Sequence, residues 1–108
     1  MLDFSVRVVK HCARLKQPVL KSIVNQLIRS ATSVGANYVE ANNASSKQDF
    51  RNKIFIAKKE ASETRYWLKL LARLGDKGEE NNLLQSETQE LVMILQKIVS
   101  SLRKKSEN

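Results

Sequence analysis

One cysteine, one histidine, one proline and three glycines are scattered over 108 residues. Each scarcity excludes something. A lone Cys12 cannot close an internal disulfide, so the expectation is a small apolar residue in a reduced, cytoplasmic protein. A single His11 cannot build the paired Glu-x-x-His motifs of a di-iron bundle, and the residue three before it is Val8. His11 and Cys12 are adjacent and would point about 100° apart on a helix, which makes them a poor metal pair. Every nucleophile–base pair would have to share that one histidine. Glu60 and Glu63 lie one turn apart, yet Arg29, Lys53 and Lys59 account for them as charge partners. No glycine-rich phosphate loop occurs. The expected chemistry is therefore no enzyme, no metal, no organic cofactor and no small-molecule substrate.

Two further absences bear on setting. No uncharged apolar run approaches the roughly 18 residues of a membrane span. The first twenty residues interleave charge with apolar side chains, unlike a signal peptide. No membrane partner is expected. Scarce glycine and proline favour long helices over a many-turned β protein.

What the chain does have is hydrophobic periodicity. Four segments alternate steps of four and three. They are Phe4, Val8, His11, Leu15; Leu20, Val24, Leu27, Ala31, Val34, Tyr38, Ala41; Phe50, Ile54, Ala57, Ala61, Thr64, Leu68, Leu71; and Leu84, Thr88, Leu91, Leu95, Ile98, Leu102. Each is the seam of a helix packing nearly along its neighbours. The breaks agree. Pro18 suits a helix start, Ser45 with Gln48 a capping box, and Gly75 a left-handed helix end. Ser86 with Gln89 is a second candidate box. One domain over 1–108 is expected, with helices at about 3–15, 19–43, 46–74 and 83–103 and a frayed tail from Arg103. Short connections make neighbours antiparallel. The predicted fold is all-α, a left-handed up-down-up-down four-helix bundle.

The third helix carries more than its seam needs. At about 100° per residue, Lys47, Arg51, Lys58, Arg65 and Lys69 form one line with no acid on it. With a net charge of +8, that line suits phosphates by charge alone and makes RNA or DNA a candidate partner without sequence readout. A solvated face is the plainer reading of such a stripe. Phe55 and Tyr66 point nearly opposite the seam, with Trp67 and Leu70 beside them, and exposed apolar groups of this kind mark an interface. The predicted partner is a second copy of the chain. The small residues Ser30, Ala31, Ser33, Gly35 and Ala36 of the second helix are its expected groove. Arg29, Asn37 and Glu40 share another face of that helix. Antiparallel register sets Arg29 opposite Glu60 and Glu63, and Glu40 within reach of Arg51 or Lys47; these are expected to be structural ion pairs.

The stretch from Gln26 to Glu40 resembles the signature of the 23S ribosomal RNA intervening-sequence proteins. It places Arg29, Ala31, Ser33, Val34, Asn37 and Glu40 at that family's spacing. Ala57 to Leu68 looks like a variant of the family's third helix, and the likeness extends over about residues 3 to 102. Ala41 stands where many members have glycine, and Gly35 where many have proline. The resemblance implies a left-handed up-down bundle and a ring-shaped homopentamer. It implies no enzymatic activity. A related bundle protein, an accessory factor of reverse transcriptases in diversity-generating retroelements, is taken to bind nucleic acid. The leading expectation is thus a non-enzymatic oligomeric module whose basic surface contacts nucleic acid. The alternative is a protein-interaction scaffold or accessory subunit with no nucleic-acid contact.

Overall fold

The computed structural model describes the backbone of residues 1–107 and the side chains of residues 1–102. Four α-helices make up the fold: α1 (Leu2–Cys12), α2 (Lys21–Asn42), α3 (Lys47–Arg73) and α4 (Glu79–Glu107), with a 3₁₀ turn at Pro18–Leu20 leading into α2. The described residues contain no strand. The four together measure 51 × 21 × 20 Å.

Local chemistry sets the ends. Proline opens the 3₁₀ turn, where its missing N–H costs nothing. α3 is capped by Ser46, whose hydroxyl accepts from the Asp49 N–H at 3.0 Å, one residue along from the expected Ser45–Gln48 box. Gly75 ends α3 with φ 121°, the left-handed region that a side chain disfavours. The Asp76 N–H then reaches back to the Leu71 carbonyl at 2.9 Å and the Gly75 N–H to Ala72 at 3.3 Å, a complete Schellman pair.

Three boundaries differ from the pattern. α1 stops at Cys12 rather than 15, because Arg14 and Leu15 turn back onto His11 and Cys12 in i→i−3 bonds. α4 begins at Glu79, not 83, so Ser86 lies inside a helix already running and caps nothing. The cause is Asn81, fully buried and donating to the Leu68 carbonyl at 3.0 Å and to Asp76 at 2.8 Å, which draws the polar approach to α4 into the helix. α4 also continues through Glu107, past the expected tail boundary; the side chains from Arg103 onward, and Asn108, lie outside the described residues.

Nearly every seam residue is buried. Phe50, Tyr38, Leu15, Leu91 and Leu102 are only half so, and on α4 Val99 replaces Ile98 as the buried residue of its turn. The interior divides in two. One cluster joins Phe4, Val8, Cys12, Leu27, Leu68, Leu71 and Leu84 from all four helices. The other joins Val34, Ala41, Ile54, Ala57, Ala61, Leu95 and Val99 from α2, α3 and α4, with Met1 as the contribution from the α1 end. α1 is 11 residues against the 27 of α3, so it covers only part of the length of the others. α2 packs on α3, α3 on α4, and α1 against α2 and more lightly α4, which puts α1 diagonally across from α3.

Candidate nucleic-acid interface

α3 presents the basic line. Lys47 and Lys69 are exposed, and Arg51, Lys58 and Arg65 are half-buried along the same side. Over these positions a straight helix extends about 33 Å at 1.5 Å per residue. Among the described residues none of the five forms an ion pair. Six carboxylates are engaged elsewhere, and Asp3, Asp49, Glu79 and Glu90 form no ion pair with any of the five. Glu60 and Glu63 are held by Arg29, Glu40 by Lys53, Glu80 and Glu87 by Arg7, and Asp76 by His11. The guanidinium Nε of Arg65 is buried without a hydrogen-bond partner among the described residues.

The polar pairs knit helices rather than form a reaction centre. Arg29 donates from Nη1 to Glu60 at 3.0 Å and from Nη2 to Glu63. The hydrogen bond Arg29 donates to Glu63 heads the causes that raise the Arg29 pKa above its ordinary value. All three side chains keep solvent contact, with Arg29 46% and Glu63 37% exposed, so the set is a surface clasp. Glu40 pairs with Lys53 at 3.2 Å, not with Lys47 or Arg51. Lys53 lies on the α2 side of α3, whereas the basic line runs along the other flank. Arg29 near the start of α2 meets the later half of α3, and Glu40 near its end meets the beginning, so these two helices run in opposite directions. Asn37 bonds within its own helix, donating to the Ser33 carbonyl at 2.9 Å and the Ser33 hydroxyl at 3.1 Å. Between α2 and α3 the hydroxyls of Ser30 and Thr64 lie 2.9 Å apart in the core.

The apolar surplus is distributed unevenly. Phe55 and Tyr66 are 53% and 59% exposed. Leu70 is half-buried, and Trp67 packs against the core, meeting Tyr66 edge to face at 5.0 Å. The small residues of α2 are partly spent inside the subunit, with Ser33 and Gly35 half-buried and Ala36 exposed. Ser30 and Ala31 are buried, and a Cβ on Gly35 would meet the Ser5 hydroxyl at 3.5 Å, so α1 fills much of the expected groove. A different apolar face lies beside it. Leu2, Val6 and Val9 on α1 and Val39 on α2 are exposed, and the first three recur at helical spacing on the side of α1 away from its buried seam. The signal is present in the sequence as a second i, i+4, i+7 series, overshadowed by the longer seam of Phe4, Val8, His11 and Leu15.

Sequence reasoning also missed a buried polar chain. His11 Nε2 lies 2.7 Å from Asp76 Oδ2, both side chains under a tenth exposed. Asp76 accepts from Asn81, and Asn81 accepts from Gln85 at 2.6 Å. The chain ties α1 to the turn between α3 and α4. Beside it, burial and then the Asp76 charge push the Cys12 thiol up to about 11. Among the described residues no three His, Cys, Asp or Glu side chains gather where they could hold a metal ion. No helix among them is long and apolar enough to cross a membrane.

A family model described as 23S rRNA-intervening sequence protein matches residues 1–97. The crystal structure of a protein of unknown function from the S23 ribosomal protein family of Bacteroides thetaiotaomicron is 38% identical. The alignment covers 91% of this chain and 93% of that one, with a TM-score of 0.81. No curated protein matches the chain.

Proposed function

The chain belongs to the 23S rRNA-intervening sequence protein family, and from that premise we propose a non-enzymatic, cytoplasmic, oligomeric bundle whose α3 surface contacts nucleic acid, RNA foremost, through its phosphates. One observation carries the reading. Among the described residues, five bases share a side of α3 without an ion pair, while six carboxylates are tied to partners off that line. Each phosphate neutralised by such a base releases counterions, so affinity should fall by up to roughly 0.7–0.9 log units per log unit of salt for each. Changing Arg51, Lys58 and Arg65 to Gln should lower affinity for single-stranded RNA and flatten the salt dependence, with helicity kept. Binding unchanged by the triple substitution would refute the assignment. An absence of RNA binding at low salt would favour a protein partner instead.

Assembly belongs to the same proposal. In a left-handed up-down-up-down bundle with α1 diagonal to α3, the Leu2–Val6–Val9–Val39 face and the Phe55–Tyr66 face look in opposite directions. Contact between two different faces is heterologous and closes into a ring when the rotation divides the circle; family likeness suggests five subunits. Aromatic side chains anchor such contacts because they bury much area at little rotamer cost. Phe55→Glu with Tyr66→Glu, and separately Val6→Glu with Val9→Glu, should each reduce the mass seen by light scattering while the monomer stays helical. A monomeric wild type at micromolar concentration would end this part of the proposal.

A further inference from the structure

Where α3 ends and α4 begins, the surface folds into a cleft of about 590 Å³ lined by Lys69, Ala72, Arg73, Lys77, Asn82 and Gln85. Three cations and two amides converge there, and among the described residues no carboxylate lines it. We propose that this cleft binds the terminal phosphate monoester of a nucleic-acid strand whose internal phosphates lie along the α3 bases, an inference that rests on the nucleic-acid reading above.

The sequence of the turn alone would not suggest an anion site, because Asp76 sits among these bases. The tertiary structure removes it. Gly75 reverses the chain at positive φ, and Asp76 is drawn inward to His11 and Asn81, nine-tenths buried. The first-turn acids of α4 do not compensate. Glu80 is held by Arg7 of α1, and Glu79 does not line the cleft. Lys69 and Arg73 are one helical turn apart, a like-charge pair that repels unless an anion stands between its members. Among the described residues, Lys69, Arg73 and Lys77 have no ion-pair partner.

The shape of the charge decides which anion. Along α3 the bases are strung out in a line, which suits phosphodiesters of one negative charge each. At the cleft three cations surround one concavity, which suits a group of higher charge. A phosphate monoester carries about −1.5 to −2 at neutral pH and offers three strong acceptor oxygens. Lys69 belongs to both features and Arg65 stands one turn before it, so the line leads into the cleft. The volume falls in the range of small-molecule sites and leaves room for a nucleoside behind the phosphate, where Asn82 and the free oxygen of Gln85 can meet its polar edges.

The test measures anisotropy of one short single-stranded RNA in three forms, with a 5′-phosphate, with a 3′-phosphate and with hydroxyls at both ends. The wild type is compared with Arg73→Gln/Lys77→Gln, which leaves the five α3 bases in place. One phosphorylated form should bind about tenfold tighter than the hydroxyl form, the gain expected of charge-assisted bonds to a dianion. The double variant should lose that ratio, and the preferred end gives the polarity of the strand. Equal affinity for all three forms would overturn the cleft assignment and leave the α3 line standing. If no RNA binds, a nucleoside 5′-monophosphate that shifts the Asn82 and Gln85 side-chain amide signals, where the plain nucleoside does not, would uphold the cleft and sink the α3 line. Failure of both probes would overturn both.

Discussion

The half of the bundle that α1 covers and the half that it does not were written in the same hydrophobic code but are built differently. In the covered half, large side chains from four helices interlock: Phe4, Leu27, Leu68, Leu71 and Leu84. In the other, three helices close around alanines, Ala41, Ala57 and Ala61, with Ile54 and Leu95 supplying the volume. The covered half also holds the buried polar chain of His11, Asp76, Asn81 and Gln85, which fastens the short helix to the turn beyond α3. A helix of three turns is marginal by itself and is held by packing its apolar face, Phe4, Val8 and Cys12; the directional bonds at its end add a fixed point of attachment.

The largest effect that would sharpen this contrast is a matched pair of truncations. Leu68→Ala and Leu95→Ala remove the same atoms from positions that are both fully buried. Leu-to-Ala changes cost about 2–5 kcal/mol, more where the surroundings cannot collapse. Leu68→Ala should fall near the top of that range and Leu95→Ala near the bottom, by urea unfolding at one protein concentration. Equal losses would show that both halves are equally rigid.

Next comes the polar chain. Asp76→Leu strands the buried donors of His11 and Asn81, at a cost of about 1–3 kcal/mol. Hydrogen exchange should then rise in α1 before it rises in the α2–α3 pair. Uniform exchange over all helices would deny that the chain anchors α1.

Cys12 reports on the same region. Its thiol is raised from 9.0 to about 11, so the folded state holds a proton that the unfolded chain releases first. Stability from this group is intact below pH 9 and falls as the pH climbs towards 11. At neutral pH iodoacetamide should label Cys12 only as the protein unfolds. Rapid labelling of the native protein would mean that α1 opens freely.

The smallest effect belongs to the α2–α3 clasp. Arg29→Met should cost no more than about 1 kcal/mol, because exposed pairs trade protein contacts for water. A loss well above that would mark Arg29 as part of a surface buried by assembly.

Much of the fold was legible because burial at helical spacing leaves a direct trace in the sequence. The seams of α2 and α3 came through almost residue for residue, and Gly75 was readable as a helix end because few other residues accept that φ. The α4 start was not. Its determinant is the Asn81 amide bonding to a carbonyl thirteen residues away, Leu68, which no local signal announces. Glu40 shows the same limit at the level of pairs. Register arithmetic brought it to the correct stretch of α3, yet the choice of Lys53 over Lys47 or Arg51 depends on which flank of α3 faces α2.

The candidate interface divides along that line. The basic stripe is a property of one helix, so periodicity alone drew it. Its lack of ion pairs among the described residues depends on the whole fold, since it follows from where the carboxylates of the other helices are drawn. By itself the sequence determined four amphipathic segments, their breaks, and an excess of positive charge on α3, because these follow from spacing and composition. Only the tertiary structure decided that α1 is a short lid, that Asp76 turns inward to His11, and that Lys69, Arg73 and Lys77 share a cleft. Those outcomes depend on distances between residues far apart in the chain, which are set when the helices pack and not before.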